Sequence, residues 1–169
     1  QSMPPGALDA KFTSCDIFLN TGGAVVSAGW GEQVTVSGVA LVNFPGPGEP
    51  QYFAGDFKNC NIHQNSGFGV VASGTFESCS IFQNTGGGVS AGDASFMDSS
   101  IFQNTGYRYS SLWESGGPAP AVIVTTGVFQ RCTIHHNSVG VVGYHLTVQG
   151  CTIDNNAGPG IQYAQTLNN

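Results

Sequence analysis

Residues 76–86 read FESCSIFQNTG and residues 96–106 read FMDSSIFQNTG, so eight of eleven aligned positions are identical. Self-similarity at a short fixed period means that one small unit stacks on the next, and that no unit buries its apolar face alone. The pair belongs to a longer series. Phe12/Cys15/Ile17/Asn20, Phe57/Cys60/Ile62/Asn65, Phe76/Cys79/Ile81/Asn84, Phe96/Ser99/Ile101/Asn104, Phe129/Cys132/Ile134/Asn137 and Val148/Cys151/Ile153/Asn156 all fit F-x-x-C-x-I-x-x-N, followed by a Gly-rich turn and a short Val-rich run. Phe57, Phe76 and Phe96 are 19 and 20 residues apart, as Phe129 and Val148 are 19 apart. The 45-residue gap after Phe12 reads as holding a worn seventh copy, Val36/Val39/Leu41/Phe44, with the Asn rung missing at Phe44. The 33-residue step from Phe96 to Phe129 reads as one copy carrying the insertion YRYSSLWESGGPAP, residues 107–120.

A unit of this length is too short for paired helices, and the Gly and β-branched content disfavours helix. Cys and Ile two positions apart is strand periodicity, with both side chains on one face. Gly and Asn at fixed offsets mark corners. Short strands joined at corners form a coil, stacked coils pair in parallel, and parallel crossovers are right-handed. The expected fold is therefore all-β, a right-handed parallel β-helix of about seven coils. The expected organisation is a lead-in or cap over residues 1–11, repeats over 12–163 and a tail over 164–169. Neither end carries a strong cap, so the ends call for a partner or for further chain.

The C-x-I-x-x-N-x-G-G-(A/G)-V pattern resembles the β-helix repeats of the pectin-lyase-like superfamily. It is most similar to degenerate repeats of algal, protist and bacterial surface proteins, and more distantly to bacterial outer-membrane proteins with GGA-type repeats. That resemblance implies architecture rather than activity, because the superfamily holds lyases, hydrolases, adhesins and spacers. The setting expected for such a module is extracellular, at the cell surface, or in an organelle lumen.

Four basic residues (Lys11, Lys58, Arg108, Arg131) stand against ten acidic ones, for a net charge of −6. No basic stripe exists to neutralise phosphates, so a nucleic-acid partner is excluded, and so is a polybasic membrane contact. No apolar run reaches the length of a membrane span.

The repeat turns residue types into columns. The Asn column (Asn20, Asn65, Asn84, Asn104, Asn137, Asn156) reads as a structural ladder at a corner, where Asn tolerates the left-handed conformation and stacked amides bond from coil to coil. The cysteines read as free buried thiols, with only Cys60/Cys79 and Cys132/Cys151 on adjacent coils. No metal or cofactor is expected: metal-binding Cys/His spacings are absent, and His135 and His136, as strand neighbours, should face opposite ways. Outward from the Ile strands, one column reads Phe18, His63, Phe82, Phe102, His135, Asp154. Phe82 and Phe102 there form an exposed apolar patch, which suits a protein partner or a sugar. In the insertion, Tyr107, Arg108, Tyr109 and Trp113 are the residue types that anchor interfaces.

For catalysis the one candidate constellation is Glu77/Asp98/Arg131, two carboxylates and a base on neighbouring coils. Acidic residues are otherwise spread thinly, and enzyme activity is not the leading expectation. That expectation is a non-catalytic structural or interaction module of a larger assembly, with protein partners. A carbohydrate-binding module or degenerate lyase-like domain is the alternative.

Overall fold

The computed structural model describes residues 10–18, 25–27, 40–42, 54–106, 118–162 and 166–168. Within them the chain is all strand, with no helix, and every strand pairing is parallel. The strands form two sheets. The Ile strands make the smaller one, in the order Thr152–Asp154, Thr133–His135, Ser100–Phe102, Ser80–Phe82, Asn61–His63, Asp16–Phe18. The Phe strands (Ala10–Thr13, Ala54–Lys58, Ser73–Glu77, Asp93–Met97) and the Val strands (Val25–Ser27, Val70–Val71, Val89–Ser90) belong to the larger. Pro120–Gln130 pairs with both Val89–Ser90 and Asp93–Met97 and so joins the two sets, and Val139–Gln149 pairs along it, with Ile161–Gln162 and Thr166–Asn168 beyond.

Register follows the repeat. Phe57 pairs with Phe76, Phe76 with Phe96, Phe96 with Phe129, and Phe129 with Val148. The rings of Phe12, Phe57, Phe76, Phe96 and Phe129 stack in one column at 4.7–4.8 Å, with planes within 9°. That is the strand-to-strand spacing of a sheet. Ile62, Ile81, Ile101 and Ile134 form a second fully buried column, and Val70, Val89, Val122 and Val141 a third. Together these columns are the core. Burying each such side chain stabilises the fold by about 1.5–3 kcal/mol.

The worn copy is corrected by the register. Phe12 pairs directly with Phe57, and Ile17 directly with Ile62, so no coil lies between them. Among the described residues the Phe register runs through the six other copies, and Thr166–Asn168 adds a seventh strand beside His145–Thr147. Ala40–Val42, from within the supposed copy, pairs instead with Val25–Ser27 at the edge of the Val strands. The reason is chemical. Val36, Val39 and Leu41 reproduce only an apolar alternation, which any half-buried strand satisfies. They lack the Cys and Asn whose polar atoms tie one rung to the next. As a consequence Cys15 also stands next to Cys60, where the Asn61 amide donates to the Cys15 carbonyl at 2.8 Å. Phe44 lies outside the described residues.

The insertion leaves the stack undisturbed. Asn104 still bonds Asn137, and Val89 still pairs with Val122 across it. Its roots are pinched together: the Ala119 amide donates to the Gly106 carbonyl at 2.7 Å. Gly106 has φ 131° and packs so closely on the Thr85 carbonyl that no Cβ fits there. At the returning end, Ala119 and Pro120 are buried and Pro120 is already in register with Val139, so the last residues of the 107–120 segment belong to the stack.

Candidate functional site

Among the described residues the repeats turn at two corners through residues at positive φ, all but one of them non-glycine. The first corner joins the Phe strand to the Ile strand (Ser14, Asn59, Ser78, Asp98, Arg131, with Gly150 last). The second follows the Ile strand (Gln64, Gln83, Gln103, His136, Asn155). The left-handed residue is thus the one before the ladder Asn, not the Asn itself. The Asn side chain turns inward instead. Asn65, Asn84, Asn104 and Asn137 are buried. Each Nδ2 donates to the next Oδ1, at 2.7 Å for Asn65–Asn84, 3.0 Å for Asn84–Asn104, and 3.1 Å for Asn104–Asn137 and Asn137–Asn156. Each Oδ1 also accepts the preceding ladder residue's amide N–H, and the second Nδ2 proton reaches an Ile carbonyl, as from Asn84 to Ile62 at 3.1 Å. From Asn65 to Asn156 the amides are bonded to one another. Asn20 lies outside the described residues.

The five cysteines are free thiols. Cys79 donates to the Phe57 and Glu77 carbonyls at 3.4 Å, and Ser99 fills the same slot with a bond to Phe76 O at 3.1 Å. Burial pushes Cys60 up, and pushes Cys79 and Cys132 up to about 11. Such thiols are poor nucleophiles.

Of the candidate catalytic constellation, the structure brings Asp98 and Arg131 together and pairs Glu77 with another residue. Arg131 makes a two-pronged ion pair with Asp98, Nε to Oδ1 at 2.7 Å and a terminal nitrogen to Oδ2 at 2.8 Å, on the exposed first corner. The Arg131 hydrogen bonds hold the Asp98 carboxyl below its usual range, and the same contact raises Arg131. Glu77 turns away to Lys58 at 2.8 Å. Each carboxylate is thus paired with a cation at the exposed surface. Among the described residues no group of three or more His, Cys, Asp or Glu side chains converges as a metal site.

What does assemble is the outward column. Phe18, His63, Phe82, Phe102 and His135 stack flat on one another at 5.2, 4.6, 4.9 and 5.3 Å, with planes within 6°. The sequence placed Phe82 and Phe102 together; the structure makes them the middle of a five-ring ladder. Imidazole serves as a rung because its ring is as flat as a phenyl. His63 sits between Phe18 and Phe82, and its Nε2 is fixed by Asp16 Oδ1 at 3.0 Å. The inner rings have both faces covered by neighbours, so the column presents ring edges outward. Phe18, at 46 % exposure, is the most open rung. Face-on stacking with a sugar therefore has no free inner ring to use, whereas edges packed against an apolar partner remain available. Alongside runs a polar column, Asp16, Asn61, Ser80, Ser100, Thr133 and Thr152.

Tyr107, Arg108, Tyr109 and Trp113 lie outside the described residues; the insertion that carries them begins five residues past Phe102 in the sequence. No helix among the described residues is long and apolar enough to cross a membrane.

Comparison with known proteins returns no match, whether to a family model, a curated protein or a solved structure. The functional reading rests on the site itself.

Proposed function

We propose that this chain is a right-handed parallel β-helix of the pectin-lyase-like kind, working as a non-catalytic interaction module within a larger assembly. Its contact face is the ladder from Phe18 to His135, extended by the aromatic insertion. All-parallel registers across two sheets support the fold, since parallel crossovers are right-handed in nearly every protein. The observation that carries the function is the unbroken exterior ring ladder. Aromatic rows left half-open on a flat sheet face are costly in water and mark contacts. The consumed carboxylates of Glu77 and Asp98 support the non-catalytic part. As with the proteins it resembles, the expected setting is the cell surface or an organelle lumen.

The test is the size of the native assembly in solution. A Phe82→Ser/Phe102→Ser double variant should elute as the free chain while keeping a cooperative melt. Trp113→Ala should weaken assembly by about 2 kcal/mol, the scale of an interface anchor. If both variants assemble as the parent does, the reading fails. Oligosaccharide binding by the isolated chain, lost in the double variant, would favour the carbohydrate alternative instead.

A further inference from the structure

At the far end of the ladder the two adjacent histidines meet. His135 Nδ1 and His136 Nδ1 are 2.7 Å apart, with the rings edge to face at 85°. Strand alternation alone would send them to opposite sides, and the sequence reading expected that. The strand ends at His135, however, and His136 turns through φ 56° at the second corner, which returns its ring to the same side. The His135 ring and backbone are held. His135 lies flat on Phe102 at 5.3 Å, and its carbonyl accepts from Asn137 Nδ2 at 3.0 Å and from the Gln103 amide at 3.3 Å. One rung further along the same outward column stands the exposed carboxylate of Asp154.

Two Nδ1 atoms this close need something between them, because two bare lone pairs repel. In the metal-free chain one nitrogen must carry a proton and donate it to the other. A cation that takes both lone pairs can replace that proton. The displaced proton moves through solvent to Nε2 of the same ring, which leaves both Nδ1 lone pairs for the ion. We infer that His135 and His136 form a two-nitrogen chelate for a divalent first-row transition ion that favours right-angled coordination, Cu(II) foremost. The bite selects the ion. At metal–nitrogen distances of about 2.0–2.1 Å, a 2.7 Å separation subtends roughly 80–85° at the metal. Tetrahedral Zn(II) would need the nitrogens about 3.3 Å apart at the same bond lengths. Tetragonal Cu(II) accepts an angle near 90°, and nitrogen donors rank it highest in the divalent series. With no third ligating side chain converging among the described residues, water completes the sphere and Asp154 adds negative charge one rung along.

The experiment is Cu(II) titration of the intact chain, its α-amino group acetylated, followed by visible absorption and by electron paramagnetic resonance. The expected result is one ion per chain with two equatorial nitrogens, and Zn(II) at least about 10-fold weaker, as the divalent affinity order and the narrow bite both predict. His135→Phe keeps a ring on Phe102, and His136→Asn puts at this corner the residue type that Asn155 supplies one coil on. Either variant should lose at least 10-fold in Cu(II) affinity with an unchanged melt. His63→Phe and His145→Ala, which alter the other two histidines, should bind as the parent does. Retained affinity in either of the first two variants, a single coordinated nitrogen, or equal Zn(II) affinity would each overturn the site.

Discussion

The molecule builds the same ring stack twice, once inside and once outside. The inner column, Phe12 to Phe129, spaces its rings at 4.7–4.8 Å, and the outer column, Phe18 to His135, at 4.6–5.3 Å. Both keep the ring planes nearly parallel. Isolated aromatic pairs prefer offset or edge-to-face contacts over a flat sandwich. The flat stack in both places is therefore imposed by the parallel register, which repeats every side chain at the strand spacing. The columns differ in burial: Phe57, Phe76, Phe96 and Phe129 are sealed, whereas Phe82, Phe102 and His135 stay half-buried. Stacking geometry is thus common to both, and transfer from water is not. The inner column holds the fold together. The outer one has apolar surface left for a partner.

This contrast breaks most directly at neighbouring rungs. Phe76→Ala should lower stability by about 3–5 kcal/mol, because it removes a fully buried ring and leaves a cavity between two others. Phe82→Ala should cost at most about 1.5 kcal/mol, the scale of a ring contact on an open face. Chemical denaturation of the two variants measures both. Equal losses would mean that the outer ladder is core, and that the proposed contact face is already spent.

The next largest effect belongs to the inward amides. Asn84→Ala removes the Oδ1 that accepts the Asn65 amide and side chain, and the Nδ2 that serves Ile62 O and Asn104 Oδ1. Leaving buried donors and acceptors without partners should cost about 2–3 kcal/mol. Gln83→Ala, one residue earlier, loses only an exposed bond to Gln103 Oε1 at 3.2 Å and should be nearly silent. A silent Asn84→Ala would mean that water enters the stack and replaces the ladder.

The sequence carried the columns well because a parallel register converts a period directly into contact. Phe57, Phe76, Phe96 and Phe129, with the Cys, Ile and Asn columns beside them, needed only their constant offsets. It carried the corners badly. Whether the ladder Asn or its predecessor takes positive φ depends on which side chain the amide chain draws inward, and composition cannot decide that. The same corner brings His136 back beside His135, against strand alternation. The copy at Val36 to Phe44 misled because apolar alternation without Cys and Asn fits either kind of strand. Glu77, Asp98 and Arg131 stand on neighbouring rungs, but the partner of each is set by whichever opposite charge lies one coil away in its own column: Lys58 for Glu77, and Arg131 for Asp98. The ring ladder could have been found by accepting His63 and His135 as flat rungs alongside the phenylalanines.

Inward thiols offer a third comparison. Cys79 and Cys132 keep their protons to about 11, against an ordinary 9.0, chiefly through burial. An unfolded chain loses those protons first as pH rises, so the unfolded state then binds fewer protons than the native one and stability falls. Their contribution is whole below about pH 9 and is lost as pH climbs to about 11. The native thiols should also react with an alkylating reagent at pH 8 at least about 100-fold more slowly than after denaturation, from thiolate content alone. The half-buried Cys15 and Cys151 should react faster than these two. Fast native labelling of Cys79 would mean that the coils separate readily, and would weaken the claim that the inner columns are sealed.

The smallest effect separates backbone from side chain at the corner between the two columns. Ser78 turns from the Phe strand into the Ile strand at φ 54°, and Gly150 makes the same turn one end of the stack away at φ 61°. A residue with a Cβ costs about 1–2 kcal/mol in this conformation. Glycine avoids that strain but gives up about 0.5–1 kcal/mol of unfolded-chain entropy. Ser78→Gly should therefore stabilise by about 0.5 kcal/mol, which raises the melting temperature by about 1–2 °C in a domain of this size. Gly150→Ala isolates the conformational part, because an added Cβ there meets nothing closer than Arg131 Cγ at 3.6 Å. It should cost about as much as Ser78→Gly gains, with the opposite sign. If Ser78→Gly instead destabilises, the serine side chain contributes to the corner. The two columns would then be coupled through it, and the independence of inner stability from outer contact would have to be given up.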